Sequence, residues 1–127
     1  MPDYVFFKSV KCHCKVKLSD ILYVRAEKKL VNVVTTTGTV KVLESFKEVE
    51  QSLPPLLFYK VHRSYIISLS HTEKFDNEFV YMREIKIPIA GQYRSLLKTV
   101  VAMLTSYGQS LRMGGDDIDD LLHNLNQ

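Results

Sequence analysis

The sequence predicts a mainly β domain: about nine short, largely antiparallel strands in small packed sheets, one short helix, one amphipathic helix and an acidic helix at the C-terminus. Three observations carry that expectation. Short runs of β-branched and aromatic residues follow one another closely, turn-forming pairs separate them, and the apolar period switches clearly to a helical one at Tyr93.

In chain order, residues 4–7 read as a short strand. Residues 10–18 alternate strictly, with Val10, Cys12, Cys14, Val16 and Leu18 on one face and Lys11, His13, Lys15 and Lys17 on the other. That is a half-buried strand with a cationic outer face. Ser19-Asp20 starts a strand over residues 21–26, Glu27-Lys28-Lys29 turns it into residues 30–36, and Thr37-Gly38 reverses the chain into residues 39–43. These first five strands read as one β-meander.

Ser45 and Glu48 have capping-box spacing, Phe46, Val49 and Leu53 recur helically, and Pro54-Pro55 forces a stop, so one short helix is expected near 45–52. Further strands are expected over residues 57–61, 65–69, 79–82 and 85–89. Asp76-Asn77-Glu78 and Arg83-Glu84 supply turns, and Pro88 marks an edge strand. Tyr93, Leu96, Leu97, Val100, Val101 and Leu104 then fall on one helical face, which predicts an amphipathic helix near 93–106. Residues 1–106 form the expected domain and residues 107–115, with three glycines, a linker. Residues 116–127 form an acidic amphipathic tail carrying the stripe Ile118, Leu121, Leu122 and Leu125.

A chain of 127 residues with 46% hydrophobic content is long enough for one core-bearing domain. Its net charge of +3 conceals an asymmetry: Asp116, Asp117, Asp119 and Asp120 put −4 after Gly115, leaving +7 on residues 1–115. A basic body favours polyanions such as nucleic acid or an anionic membrane leaflet. No apolar run approaches the roughly 20 residues needed to span a bilayer, and no leader-like segment opens the chain. Only Cys12 and Cys14 are present; in an extended strand they stand roughly 6–7 Å apart, too far for an easy disulfide. Reduced thiols and a cytoplasmic location follow.

Catalytic and metal constellations are missing from the pattern. His13 points away from both cysteines in a strand, no second cysteine pair completes a zinc site, and nothing fixes a base beside either thiol. Glu73, Asp76 and Glu78 sit in a polar turn-rich stretch, and the glycines stand too far apart for a phosphate cradle. The expectation is no enzyme, no cofactor and no metal. The basic and polar positions group instead on three connections: Lys28 and Lys29 on a hairpin tip, His62-Arg63-Ser64 between two apolar strands, and Gln92 with Arg94 at the start of the long helix. Arginine is shaped for bidentate contact with guanine, and lysines and helix N-termini suit phosphates.

Four segments also carry a family resemblance: residues 18–24 (Leu-Ser-Asp-Ile-Leu-Tyr-Val) with Ala26-Glu27; residues 43–50 (Leu-Glu-Ser-Phe-Lys-Glu-Val-Glu) running to Leu53-Pro54; residues 58–67 (Phe-Tyr-Lys-Val-His-Arg-Ser-Tyr-Ile-Ile); and Ile87-Pro88-Ile89 leading to Tyr93. In order and spacing, residues from about 3 to 104 resemble the LytTR-type DNA-binding domain of bacterial two-component response regulators. The resemblance implies a mostly β domain whose loops, rather than a recognition helix, enter successive major grooves. It implies double-stranded DNA as partner, paired direct repeats as sites, two copies or a homodimer on DNA, and a receiver domain or sensor kinase upstream.

Family DNA contacts correspond here to Lys28-Lys29, to Arg63 with Ser64, and to the loop Ala90-Gly91-Gln92. The chain departs from the family in two places. Ser68 stands where Asn is common, and Ala90-Gly91-Gln92 where a basic pair is common, which removes a cation. The expected function is therefore sequence-specific DNA binding by the output domain of a transcriptional regulator, with Lys28, Lys29, His62, Arg63, Ser64, Gln92 and Arg94 as contacts and no membrane partner. The other function class is a protein-interaction module that docks a partner through its acidic C-terminal helix.

Overall fold

The computed structural model describes residues 2–110, with side-chain surroundings through residue 106. Two strands, β1 (Tyr4–Lys8) and β2 (His13–Lys17), form a separate antiparallel hairpin sheet. A 3-10 turn at Leu18–Asp20 leads into β3 (Ile21–Glu27), β4 (Leu30–Thr35) and β5 (Gly38–Val42). After helix α1 (Phe46–Ser52), the chain returns as β6 (Phe58–His62) and β7 (Tyr65–Ser68), and these five strands make one sheet in the order β5-β4-β3-β7-β6. A third sheet, ordered β10-β9-β8, is built from β8 (Lys74–Phe75), β9 (Phe79–Met82) and β10 (Ile85–Pro88). Helix α2 (Gly91–Ser110) closes the described chain.

The five-stranded sheet is apolar on both faces, and each face has its own core. Val24, Val31, Val33, Val42 and Ile66 pack with Phe7 and Val16 of the hairpin sheet and with Val49 and Leu53 at α1. On the other face, Leu22, Val61 and Ile67 pack with Val80, Met82 and Ile87 of the third sheet and with Leu97 of α2. Alternation along a strand supplies both sets at once. Ile21 and Leu22 fall in opposite cores by that alternation, and a register shift between Ile21 and Tyr23 explains why the next residue, Tyr23, packs on the same side as Leu22. A second shift between Lys60 and His62 keeps Val61 in the core while His62 comes opposite Tyr65.

Local signals in the sequence act as expected at several points. The Ser45 hydroxyl accepts from the Glu48 N–H at 3.1 Å, and the Glu48 carboxylate accepts from the Ser45 N–H at 3.2 Å, which completes the capping box of α1. Such a cap contributes about 1 kcal/mol. The β4–β5 reversal ends on Gly38 at φ 143°, a backbone region that disfavours side chains. Pro88 lies on β10, an edge strand.

Elsewhere the structure alters the expectation. The first five strands are not one meander, because β1 and β2 leave the large sheet and cover its face. Strand β2 starts at His13 rather than residue 10: the Ser9 N–H donates to the Cys12 carbonyl at 2.8 Å, closing a turn that leaves Val10 68% exposed and Cys12 outside the strand. Freed from extended geometry, Cys12 brings its Sγ to 3.2 Å from that of Cys14, far closer than strand spacing predicts. Strand β8, two residues long and too short to leave a period in the sequence, raises the expected nine strands to ten among the described residues. Helix α2 begins two residues before Tyr93 and runs to Ser110, past the predicted start of the linker at residue 107. The rest of that linker and the predicted tail at 116–127 lie outside the described residues. Among the described residues, no helix is long and apolar enough to cross a membrane.

Candidate nucleic-acid interface

Antiparallel pairing decides which connections meet. Glu27 pairs with Leu30, so Lys28 and Lys29 form a two-residue reversal at one end of the large sheet. Strand β7 runs antiparallel to β3 with Arg25 opposite Tyr65, and the Ala26 N–H donates to the Ser64 carbonyl at 2.8 Å. The β6–β7 turn, holding Arg63 and Ser64, therefore stands beside the Lys28-Lys29 hairpin. The third connection is held by the Ala90 N–H, which donates to the Val61 carbonyl at 2.8 Å just before that turn. Three of the predicted connections thus converge on one end of the sheet. The Thr36-Thr37 reversal lies at the opposite end, where the Thr36 N–H reaches the Asp20 carbonyl.

Each predicted side chain can be placed within this frame. Lys28, Lys29 and Arg63 are exposed. His62 is half-buried, and its Nδ1 accepts from the Ser64 N–H at 3.1 Å, so the neutral ring carries its proton on Nε2. Its ring also meets Tyr65 edge-on at 5.6 Å. His62 and Ser64 thus shape the turn that presents Arg63. Gln92 is exposed in the first turn of α2, uncharged where a cation would favour phosphate. Arg94 differs from the others: it is half-buried, and its Nε is buried without a hydrogen-bond partner.

Strand registers reveal polar residues that the sequence reading passed over. Lys41 stands opposite Asn32, Asn32 opposite Arg25, Arg25 opposite Tyr65, and Tyr65 opposite His62. This row crosses all five strands one step behind the loops. The Arg25 guanidinium lies 5.8 Å from the Tyr65 ring centre and 4.0 Å from the Glu27 carboxylate. Beside it, an open concavity of about 560 Å³ is lined by Arg25, Ala26, Glu27, Lys28, Lys29 and Leu30. The signal available in the sequence was polarity out of step with strand context: Arg25, Asn32 and Lys41 each interrupt an apolar run.

Charge is uneven across the interface. The Ile89 N–H donates to the Glu78 carbonyl, which sets the Asp76-Asn77-Glu78 turn beside the Ala90-Gly91-Gln92 connection. Backbone N–H groups of Glu78 and Phe79 and the Tyr81 hydroxyl all donate to the Asp76 carboxylate, holding its pKa below the usual aspartate value. The third connection therefore has acidic neighbours and no cation of its own at Gln92, whereas the first two carry Lys28, Lys29 and Arg63. Among the described residues no group of three or more His, Cys, Asp or Glu side chains could hold a metal ion.

Comparison with known proteins gives a consistent result. The family model for the LytTr DNA-binding domain matches residues 11–102. A response regulatory protein of Vibrio cholerae is 25% identical over 92 residues, covering 65% of this chain and 35% of its own. The sensory transduction protein LytR of Staphylococcus epidermidis is 25% identical over 87 residues, covering 66% of this chain and 34% of its own. The chain thus spans about a third of the length of these curated relatives. In fold, it is similar to a LytTr DNA-binding domain from Bacillus cereus at a TM-score of 0.68 and 22% identity, covering 80% of this chain and 98% of the other. Three exposed or half-buried polar connections brought to one end of a β-sheet, on a basic body matched by the family model over residues 11–102, make this chain a member of the LytTr DNA-binding domain family.

Proposed function

We propose that the chain is the sequence-specific output domain of a bacterial transcriptional response regulator and reads DNA through loops. The observation that supports this most is the pair of backbone bonds Ala26–Ser64 and Ala90–Val61, which hold three connections at one end of the large sheet. In this reading Lys28 and Lys29 neutralise phosphates and set register, while Arg63 enters a major groove and forks onto guanine. His62 and Ser64 hold the arginine turn, and Gln92 contributes hydrogen bonds to base edges. Arg94 has the weakest claim, because the residue is half-buried and its Nε is enclosed.

The partner is double-stranded DNA, with two copies of the chain on a direct repeat. A receiver domain or a sensor kinase acts upstream and controls that pairing. The domain works in the cytoplasm and performs no catalysis of its own.

Selection from a random-sequence duplex library tests the reading. The expected product is one motif repeated in the same orientation about one helical turn apart, or a multiple of it, with two chains on each duplex. Recovery of no motif above the input library sinks sequence specificity. A single chain on each selected duplex sinks the paired-repeat reading.

A further inference from the structure

The β1–β2 turn lies at the same end of the molecule as the three connections, although the family resemblance assigns it no contact. Its position is fixed by three hydrogen bonds to the β5 edge and the residues after it. The Leu43 N–H donates to the Lys8 carbonyl at 2.9 Å, the Ser9 hydroxyl donates to the Lys41 carbonyl at 2.9 Å, and the Lys8 N–H donates to the Glu44 carboxylate at 3.1 Å. Val42 pairs with Val31, one residue from the start of β4 and hence just behind Lys28 and Lys29. The residues from Lys8 to Cys12 are thereby anchored to the loop end of the large sheet.

This turn is cationic. Lys8, Lys11 and His13 are all exposed, and Lys8 stands opposite His13 in the hairpin register. Lys41, also exposed, belongs to the row that continues through Asn32 to Arg25. The nearest acidic group, Glu44, is turned onto the Lys8 backbone. Phe7 and Val16 turn inward to the first core, so Lys8 faces outward from the hairpin, while Lys41 and Arg25 lie on the opposite face of the large sheet; lysines and arginine thus reach its loop end from both sides. The other β2 lysines differ. Lys17 pairs with Tyr4 toward the far end of the hairpin, and the Lys15 ammonium sits 4.3 Å above the Tyr4 ring.

Resting on the DNA-binding function proposed above, we infer that Lys8 and Lys11 form a fourth connection to the duplex, a phosphate-binding site with no part in base readout. The chemistry suits that division. A lysine ammonium is a compact charge without the planar fork that reads guanine, so it contributes affinity to every sequence alike. The site extends the footprint along the backbone beyond the stretch covered by the Lys28-Lys29 hairpin.

The test is a salt titration with the full 127-residue chain. The probes are a duplex selected on the parent protein and its scrambled counterpart, and the variants are K8A/K11A, K28A and K17A. Each lost phosphate contact lowers the slope of log K against log salt by about 0.9, so K8A/K11A is expected to flatten it by about 1.8 on both duplexes. Its affinity deficit relative to the parent then shrinks roughly tenfold between 50 and 200 mM salt. K17A, at the far end, should match the parent. If K28A flattens the slope while K8A/K11A leaves it unchanged, the fourth connection is wrong and the function stands. A K17A effect as large as that of K8A/K11A also overturns it, because diffuse charge would then explain both. A parent chain with no salt-dependent binding to either duplex removes the function and this site together.

Discussion

Ala26 and Ser64, distant in sequence, share a 2.8 Å backbone hydrogen bond that ties the hairpin bearing Lys28 and Lys29 to the turn bearing Arg63. The bond belongs to main chain, so the juxtaposition of two basic connections does not depend on the flexible side chains that use it. Packing behind it is rigid: Val24, Ile66, Ile67 and Val61 are all at most 1% exposed. Strand pairing thus converts three stretches far apart in the chain into one surface.

In the proposed reading, Arg63 is the position where readout and affinity separate. Arg63→Ala should cost about 1–3 kcal/mol on the selected duplex and much less on a scrambled one, since the proposed bidentate guanine contact is lost. Arg63→Lys keeps the charge but not the fork, and should restore binding without restoring discrimination. Anisotropy titrations of both variants on both duplexes check this.

At the third connection the chain should accept an improvement. Gln92 is exposed and uncharged next to the Asp76-Asn77-Glu78 turn, so Gln92→Lys adds a cation to the connection of the proposed interface that has acidic neighbours. The expected result is tighter binding to all duplexes and a salt slope steeper by up to about 0.9. Unchanged affinity would show that this connection does not approach DNA.

Folding stability should depend on the core behind the loops more than on the loops. Ile67 is fully buried between β3 and β6, and Ile67→Ala should destabilise by about 2–5 kcal/mol in urea unfolding. Lys28→Ala and Arg63→Ala, both at exposed positions, should fall within about 0.5 kcal/mol of the parent. That contrast separates loss of binding from loss of fold.

Asp76 supplies a pH signature. Its folded carboxyl has a depressed pKa because the Glu78 and Phe79 N–H groups, and then the Tyr81 hydroxyl, donate to the charged form. A depressed carboxylate stabilises the fold above its unfolded value of about 3.8, and that contribution disappears as pH falls through the lower folded value. Asp76→Asn should therefore melt below the parent at neutral pH, with the gap closing in acid. A gap that stays constant across the range would contradict the assigned hydrogen bonds.

Much of this arrangement was legible in the chain because local chemistry and tertiary context agreed. The Ser45-Glu48 cap, the Lys28-Lys29 reversal, the break at Arg63 and the edge at Pro88 all lie where residue types place them. What was not legible depends on long-range contacts. Alternation ran unbroken from Val10, yet the Ser9–Cys12 turn delays the start of β2 to His13, so Val10 is exposed and the two thiols meet. The row from Lys41 to His62 exists only once register is known, and the position of Lys8 and Lys11 only once β1 is bonded to the β5 edge. Periodicity specifies which face a residue occupies; it does not say which end of which sheet a turn will reach.

DNA reading through Arg63 is decided by the binding of parent and Arg63→Ala chains to selected and scrambled duplexes across a salt series. Steep salt dependence is expected on both duplexes for the parent, with a clear preference for the selected sequence and loss of most of that preference in a normally folded Arg63→Ala chain. A folded Arg63→Ala chain that discriminates as well as the parent would contradict that reading.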